Sequence, residues 1–339
     1  LSVRLVTECR GAGSKCGVCP RQLRVPISAG YAEVSDLDDG GSLFARADEA
    51  LYAAKLGGGV DADIVLLYVR PAAQGLRSGG LQVRVARENM MKWGLELPGI
   101  KYLKKGRDLL RELGDLGEDW DQAAFHSKVD GTSLGDNKIE YTAKSGKKVV
   151  LKLKVAADVT TGILEQWDLG HYDLIIIGAS SRWSKKGLSG FFDPAVAEKV
   201  AIHAPCSVLV TRDLEIGHGH LVCTDGSDAA MEAVKKDAWI ASHCQCPISL
   251  MSVAHDVESE VEAKHAVNDA HKALDDLGVS VHDIVVKVGN PVDEIIEQGA
   301  NYSLIALADS GKSGLQRLLV GSVALKVMQN AHNSVLIIR

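Results

Sequence analysis

Glycine and serine residues are concentrated near the end of the chain, in the run Ala308-Asp-Ser-Gly311-Lys-Ser-Gly314 and again at Gly321-Ser322. A glycine-rich backbone after a strand brings its amide N–H groups close to an anion, because no side chain blocks the approach. Gly321-Ser322 opens a predicted helix, and the first N–H groups of a helix also attract negative charge. Together, the two features predict a site for a polyphosphate.

Two further residues lie where predicted strands end. Asp225 follows one strand in Val222-Cys-Thr-Asp225-Gly-Ser227, and Val253 ends the next strand. A carboxylate beside a phosphate is repelled, so Asp225 suits a ribose hydroxyl or a base amino group instead. The sequence shows no evident nucleophile–base pair, so no catalytic residue is predicted.

The elements that must position these residues occur twice in the chain. Tyr172–Gly178 and Tyr302–Ala308 are similar apolar runs, as expected of buried parallel strands, and similar segments follow each of them in the same order. Strands alternate with helices, which predicts a parallel sheet with helices on both faces. We therefore expect an α/β protein of two tandem doubly wound parallel-sheet sandwiches. In the second copy the sequence predicts strands at 220–224, 248–253, 281–288, 303–308 and 334–339, and helices at 228–244, 257–277, 291–300 and 321–331.

The repeat predicts two domains, at residues 1–213 and 218–339. The first is longer, and we place an insertion in it at about residues 83–150. Within the insertion, residues 101–113 are predicted to form an extra amphipathic helix, and residues 131–148 a hairpin or a long loop. The insertion is either solvated decoration or a surface that recruits a protein partner.

The last strand of each copy is apolar, at residues 206–211 and 334–339. If unpaired, both strands would be exposed sheet edges, which invite association with other chains. We therefore expect them to pair with each other within the chain as a pseudo-dimer. Assembly into a homodimer stays open.

The composition argues against several classes of protein. Apolar residues make up 46% of the 339 residues, which is unlike a disordered chain. With 38 Lys and Arg against 44 Asp and Glu, the net charge of -6 disfavours bulk binding to nucleic acid or to an anionic membrane. No apolar run reaches the length of a bilayer span, and no secretory pattern is evident. We expect a cytoplasmic protein with reduced thiols and no metal site.

Residues 218–339 resemble the universal stress protein family over nearly their whole length. The ATP-binding branch of that family carries Gly-x2-Gly-x9-Gly-Ser or -Thr, and this chain has Ala308-x2-Gly311-x9-Gly321-Ser322. The spacing is intact, but the methyl group of Ala308 narrows the approach for a phosphate. The resemblance implies an adenine-nucleotide alpha-hydrolase-like fold that binds ATP, with or without Mg²⁺. It assigns the phosphate contacts to Gly311, Gly321, Ser322 and the backbone of Val323. It places Asp225 near the adenosine and the backbone of Val253 against the adenine. Ser310 and Lys312 are further nucleotide-binding candidates, and slow ATP hydrolysis or autophosphorylation near Ser310 or Ser322 stays open.

The first copy resembles the same family more weakly, and its phosphate motif is degenerate. Pro194 removes an N–H donor and Ala195 removes the hydroxyl group of the motif. One interpretation is a copy that does not bind nucleotide and is kept for pairing. The other is a copy that binds a different ligand. The motif positions are Gly178, Ser181, Pro194 and Ala195, and the basic residues that would hold the other ligand are Arg182, Lys185 and Lys186.

A short N-terminal stretch, Val25–Glu33 followed by Ala45–Lys55, resembles the closing segment of GGDEF (diguanylate cyclase) domains. The catalytic turn of those domains is not found in this sequence, so no cyclase activity is expected. The same stretch also fits the opening strand and helix of the first stress-protein copy. In that interpretation the spacing to Val69 makes Asp39 the counterpart of Asp225.

Three functions are compatible with these patterns. The first is a tandem universal stress protein that binds ATP in its second copy and acts in stress response or signalling by binding rather than by fast catalysis. The second is a scaffold without nucleotide, whose insertion recruits a partner. The third is an enzyme on the same sandwich, either a cyclase relic or one that splits nucleotides or pyrophosphate.

Overall fold

The structure is a computed structural model and describes residues 27–30, 63–71, 98–129, 132–170, 172–178, 195–212, 218–244, 246–309 and 321–339. Within these ranges the chain forms twelve strands and seven helices. The strands are β1 (Ile27–Gly30), β2 (Ile64–Pro71), β3 (Asp121–Val129), β4 (Thr132–Thr142), β5 (Lys148–Ala156), β6 (Leu174–Gly178), β7 (Ser207–Thr211), β8 (His220–Cys223), β9 (Ile248–Ala254), β10 (Val281–Val288), β11 (Leu304–Ala308) and β12 (Ser334–Ile338).

At α6 the local sequence provides the helix cap. At α6, Asn290 Oδ1 accepts a hydrogen bond from Val292 N–H at 3.0 Å, and Pro291 takes the first helical position, where no N–H donor is needed. The helices are α1 (Pro98–Glu112), α2 (Val159–Gly170), α3 (Ala195–His203), α4 (Asp228–Cys244), α5 (Glu260–Asp276), α6 (Pro291–Gly299) and α7 (Ser322–Asn330).

All twelve strands belong to one sheet, in the order β10-β9-β8-β11-β12-β7-β6-β1-β2-β5-β4-β3. The second half, β10-β9-β8-β11-β12, is parallel throughout. The first half repeats this order outward from the centre as β7-β6-β1-β2-β5, again in parallel. In each half the chain first extends the sheet on one side of the opening strand and then returns to the other side, as in a doubly wound sheet. The expected tandem α/β fold is confirmed.

The two halves join where β7 and β12 run antiparallel, with Leu209 opposite Leu336. Both strands are buried along almost their whole length. Each strand therefore closes the edge that the other would expose. The pairing expected from the sequence is present.

One helix of the first half is not what the sequence suggests. The expectation that residues 101–113 form an extra helix is wrong, because α1 lies between β2 and β5 as α5 lies between β9 and β10. It packs on both β2 and β5 and is the counterpart of α5. The elements added among the described residues are β3 and β4, an antiparallel hairpin that extends the sheet beyond β5. The hairpin expected at 131–148 therefore exists but starts earlier, at Asp121.

Helices cover both faces of the sheet. On one face α2, α3, α6 and α7 bury a core that runs across both halves, with Val208 and Val335 at its centre. On the other face α4 and α5 cover the second half, and α1 covers the first. The carboxyl ends of the parallel strands stay at the rim between these layers, which is where doubly wound sheets place their sites.

The strand β1 lies between β2 and β6, as β8 lies between β9 and β11. This position agrees with the interpretation of residues 27–30 as the opening strand of the first copy. Asp225 is the second residue after β8, whereas Asp39 is much further beyond the end of β1 at Gly30. The strand register therefore does not make Asp39 the counterpart of Asp225. Residues 31–62, which include most of the segment that resembles GGDEF domains, lie outside the described residues.

The thiols differ in one respect from the expectation. Cys206 and Cys223 are free and buried, but Cys246 is disulfide-bonded, so the expectation of reduced thiols is wrong at this position. Thiol pairing depends on which sulfur atoms the fold brings together, and residue spacing alone does not show this. Among the described helices, none is long and apolar enough to cross a bilayer.

Candidate nucleotide-binding site

The chain leaves β8 through a tight turn that presents Asp225 to solvent. Thr224 N–H donates to Met251 O at 2.8 Å, and Thr224 Oγ1 accepts from Gly226 N–H at 3.1 Å. Asp225 Oδ1 accepts from Ser227 N–H at 2.9 Å. The turn is thus held from both sides, and the Asp225 carboxylate keeps its position at the rim of the sheet.

Glycine is required at the centre of this turn. Gly226 has φ of +78°, a left-handed conformation that costs other residues energy. A Cβ atom there would also lie 3.1 Å from the Cβ of Ala266 on α5. The close packing of the turn against α5 fixes the position of Asp225 at the rim of the sheet.

The main chain of Val253 faces the same rim. Main-chain groups of successive strand residues point to alternate sides of the strand. Met251 O accepts from Thr224 N–H on the β8 side, whereas Ala254 O accepts from Gly289 N–H on the β10 side, each at 2.8 Å. Val253 alternates with Met251, so its N–H and C=O face the β8 side beyond the end of that strand. There they can bond the edge of a base.

The N-terminus of α7 is held against the end of β11. Gly321 N–H donates to Asp309 O, and Gly321 O accepts the first helical hydrogen bond from Leu325 N–H at 3.0 Å. Gly321 is the N-cap residue and has no side chain to bond the next donors. The N–H groups of Ser322 and Val323 have no partner within the helix, since they belong to its first turn. This helix end therefore presents donors and the positive end of its dipole to an anion.

The strand register brings these groups to one edge. Val222 on the central strand pairs with Ala306 on one side and Leu250 on the other. Three residues further along each strand, Asp225, Asp309 and Val253 reach the same level at the carboxyl ends of β8, β11 and β9. Because Asp309 also holds Gly321, the N-terminus of α7 belongs to the same edge. This is the side of β8 at which the strand order reverses.

The structure thus brings five of the predicted site residues to one rim. Their roles toward a ligand stay predictions, as do those of the residues outside the described ranges. The five are Asp225, Val253, Gly321, Ser322 and Val323, and those outside the described ranges are Ser310, Gly311 and Lys312.

Sequence reasoning missed two charged residues at this rim. Asp309 follows β11, and its Oδ2 lies 3.2 Å from Arg339 Nε at the end of β12. Arg339 is partly buried, and burial lowers its pKa while the carboxylate of Asp309 opposes that shift. The guanidinium of Arg339 compensates for the negative charge of Asp309 at this rim. The repeat contains a signal for this pair, because Arg212 follows β7 as Arg339 follows β12.

The corresponding segment of the first half differs in sequence. The strand β6 ends at Gly178, and α3 begins at Ala195 as α7 begins at Ser322. In the sequence Pro194 precedes α3 as Gly321 precedes α7, and proline has no N–H donor. Pro194 and the other predicted positions, Ser181, Arg182, Lys185 and Lys186, lie outside the described residues.

The described residues contain no group of three or more His, Cys, Asp or Glu side chains that could hold a metal ion. The chemistry that the rim offers is recognition: helix N–H donors for an anion, a carboxylate for hydroxyl or amino groups, and a strand backbone for a base edge.

The sheet and its rim define a class of tandem doubly wound α/β proteins, and comparisons with known proteins identify the family. The sequence model of the universal stress protein family matches residues 105–212 and 220–339. The chain therefore belongs to the universal stress protein family and carries two of its domains.

The chain is also similar to individual proteins of known sequence or structure. The universal stress protein MJ0531 of Methanocaldococcus jannaschii is 31% identical over 137 residues, which cover 35% of this chain and 80% of that protein. The crystal structure of a putative universal stress protein from Pseudomonas aeruginosa has a TM-score of 0.56 at 15% identity and covers 93% of both chains. The universal stress protein from Archaeoglobus fulgidus in complex with dAMP is 22% identical, covers 36% of this chain and 97% of its own, and has a TM-score of 0.30.

Proposed function

We propose that the second half of this tandem universal stress protein binds an adenine nucleotide, ATP, and that the protein acts in stress response by binding rather than by fast catalysis. The nucleotide lies across the carboxyl ends of β9, β8 and β11. The observation that carries the proposal is the placement of the α7 N-terminus level with Asp225 and the main chain of Val253.

The triphosphate end of the ligand faces α7. The N–H groups of Ser322 and Val323 bond its oxygens, and the helix dipole contributes a few tenths to one kcal/mol, roughly, per negative group. Gly321 leaves this helix end open, because a larger cap side chain would take up the same donors. In our proposal Ser310, Gly311 and Lys312 complete the phosphate contacts.

The adenosine end faces β8 and β9. Asp225 is one strand away from the phosphate-binding helix, which separates the carboxylate from the charge that would repel it. A ribose hydroxyl donates to the carboxylate, and the backbone of Val253 recognises the adenine edge. The first half, with proline and alanine in its motif, serves to complete the sheet and does not bind ATP.

Calorimetry with a Gly321→Asp variant tests the phosphate contacts. Aspartate is a favourable N-cap, so the variant keeps the stability of the fold, but its carboxylate occupies and repels the anion site. We expect the affinity for ATP to fall at least about tenfold, which corresponds to ~1.4 kcal/mol. The matched control is Asn290→Asp, which adds a carboxylate at the N-cap of α6, beside the outer strand β10. This control is expected to leave ATP affinity unchanged.

Two ligands separate the two ends of the site. The Gly321→Asp variant is expected to lower the affinity for both ATP and inorganic tripolyphosphate. The Asp225→Asn variant is expected to lower the affinity for ATP alone. Wild-type protein that purifies without nucleotide and shows no heat of binding in millimolar ATP, with or without Mg²⁺, contradicts the proposal.

That outcome would favour the second candidate, a scaffold that recruits a partner through its inserted hairpin. The observation in its favour is the exposed side chain of Phe125 on the edge strand β3, which is 51% exposed. Lys138 Nζ lies 4.5 Å from the centroid of its ring. An enzymatic role would appear instead as product formation from ATP that is lost in Asp225→Ala.

A further inference from the structure

Arg339 connects the rim of the second half to the first half of the chain. Its Nε lies 3.2 Å from Asp309 Oδ2, within the loop that also holds the N-terminus of α7. Its other nitrogens donate to main-chain oxygens of the first half, Ala201 O at 2.6 Å and Cys206 O at 3.1 Å. The backbone N–H of Arg339 donates to Ser207 Oγ at 3.1 Å. A single guanidinium therefore joins a helix end of one half to the rim of the other.

Arg212 makes the same cross-half contacts from the opposite side. Its backbone N–H donates to Ser334 Oγ at 3.0 Å, and its guanidinium donates to Asn333 O at 2.9 Å and to Met328 O. These acceptors are the repeat counterparts of those that Arg339 uses, because α3 and β7 match α7 and β12. The junction thus contains two arginines in equivalent positions, each bound to the other half.

The two arginines differ in the residue at the end of the neighbouring strand. Asp309 is the residue after β11, whereas the residue after β6 is Ala179, which has no carboxylate. The sequence therefore places a carboxylate after the strand beside Arg339, whereas the residue after the corresponding strand of the first half is alanine. The difference coincides with the intact spacing of the motif in the second half and its degenerate form in the first.

We propose that Arg339 is a positioning residue of the nucleotide site, through which the first half of the chain sets the position and charge of Asp309 and the placement of the α7 N-terminus. The inference rests on the proposed function. Arg339 fixes the side chain of Asp309, whose carbonyl oxygen holds Gly321 and hence the first N–H groups of α7. It also neutralises a carboxylate that would otherwise repel the phosphates.

Coupling in one direction implies coupling in the other. Because binding free energies are reciprocal, a ligand that favours the Arg339–Asp309 pair also favours the contacts of Arg339 with Ala201 and Cys206. Occupation of the second half is therefore transmitted to the C-terminus of α3 in a half that does not itself bind ATP.

The experiment compares Arg339→Gln with Arg212→Gln, its matched control. Both variants lose cross-half hydrogen bonds, and we expect similar losses of thermal stability. Only Arg339→Gln is expected to lower the affinity for ATP, by about fivefold or more. A change of this size lies within the usual range of coupling energies. Arg339→Lys, which keeps the charge but not the planar contacts, is expected to lie between the wild type and Arg339→Gln and serves if that variant does not fold.

Charge rescue separates positioning from a general loss of structure. In the double variant Arg339→Gln/Asp309→Asn the repelling carboxylate is gone, so ATP affinity is expected to recover in part. Equal losses of affinity in Arg212→Gln and Arg339→Gln, or a double variant no better than Arg339→Gln, would overturn the inference.

Hydrogen exchange without nucleotide distinguishes the failure of this inference from failure of the proposed function. In Arg339→Gln the hydrogen-bonded amides of Gly321 and Leu325 are expected to exchange faster than in wild type. Arg212→Gln is expected to change them less, because its contact with Met328 O lies at the other end of α7. If wild-type protein binds no ATP, the proposed function fails, while this exchange still reports whether Arg339 positions α7. If ATP binds but exchange does not change in Arg339→Gln, the positioning role alone is wrong.

Discussion

The imidazole of His220 and the carboxylate of Asp237 face each other at 3.0 Å in the core of the second half, and both side chains are fully buried. His220 opens β8 and Asp237 lies on α4, so the pair ties the strand that leads to Asp225 to the helix that follows it. The contact lies at the opposite end of β8 from the candidate site and acts on stability.

A double-mutant cycle measures this contact. Asp237→Leu leaves a buried imidazole without its acceptor, and we expect a loss of about 1–3 kcal/mol in the free energy of unfolding. His220→Leu/Asp237→Leu removes both polar groups, so its loss is expected to be smaller than the sum of the two single losses. Urea unfolding of all four proteins provides the values. Strict additivity would show that the two side chains do not interact.

Gly226 provides a test of the turn that holds Asp225. Gly226→Ala is expected to cost about 1–2 kcal/mol of stability, because the left-handed conformation is unfavourable for alanine. The added Cβ also crowds Ala266, whose Cβ is 3.1 Å away. This crowding is expected to displace Asp225 and to lower the affinity for ATP. Thermal unfolding and calorimetry measure the two effects.

The control for this variant is Gly278→Ala. Gly278 has φ of +73°, close to that of Gly226, but a Cβ there meets nothing within 4 Å. We expect a similar loss of stability and no change in ATP affinity. If both variants lower the affinity for ATP to the same extent, the geometry of the turn at Gly226 is not the cause of that loss.

Asp158 is the cap of α2 and predicts a pH dependence. Its Oδ1 accepts from Thr161 N–H at 2.9 Å and its Oδ2 from Thr161 Oγ1 at 2.7 Å, and these bonds hold its pKa below the usual value of 3.8. A lowered carboxyl pKa gives stability that is present above pH 3.8 and is lost as the pH falls through the folded-state value. Asp158→Ala is expected to cost about 1 kcal/mol at pH 7.

Chemical unfolding of wild type and Asp158→Ala between pH 7 and pH 2 checks this prediction, and the difference is expected to shrink below pH 3.8. Thr161→Val keeps the backbone donor and loses only the hydroxyl, so it is expected to have a smaller effect. A difference that stays constant down to pH 2 would mean that the carboxylate does not act through its charge.

The two buried free thiols are expected to resist alkylation. Burial raises the pKa of Cys206 and of Cys223 to about 12 from the model-compound value of 9.0, so neither forms much thiolate in the native state at pH 8. Since the unfolded thiols ionise first, stability is expected to fall as the pH rises above about 9.

Pulsed iodoacetamide labelling followed by peptide mass spectrometry tests the protection of these thiols. Both cysteines are expected to stay unmodified in native protein and to react in urea. Ser242→Cys places a thiol at an exposed position of α4 and controls for the reagent. Labelling of Cys206 or Cys223 as fast as this reference thiol would show that the core opens readily.

The elements of the second half were predicted closely from the sequence, because the hydrophobic periodicity and the helix caps indicate the same element bounds there. The strand at 281–288 and the helix at 228–244 have the expected bounds, and the cap at Asn290 forms as its neighbour Pro291 suggests. The pairing of β7 with β12 follows from two apolar strands that could not both stay at an edge. The candidate rim follows in the same way, since parallel strands bring their carboxyl ends together.

Other features depend on three-dimensional neighbours that spacing does not show. The first-half helix was predictable as a helix, but its equivalence to α5 is visible only from its place on the sheet. For the Asp309–Arg339 pair, the repeat indicates the arginine through its counterpart Arg212, but no sequence pattern shows that its guanidinium reaches Asp309 at the end of the neighbouring strand β11. The bounds of the added hairpin could not be predicted, because polar, turn-forming residues such as Gly135 and Asp136 lie within β4 itself.

The antiparallel junction at β7 and β12 also has a kinetic and evolutionary consequence. Two separate chains joined along such strands come apart on dilution, whereas one polypeptide keeps its halves at a fixed effective concentration. Its melting temperature should therefore not depend on how much protein is present. Each half is also free to acquire substitutions that its neighbour does not share, and this explains how one copy can lose a motif while the shared sheet survives.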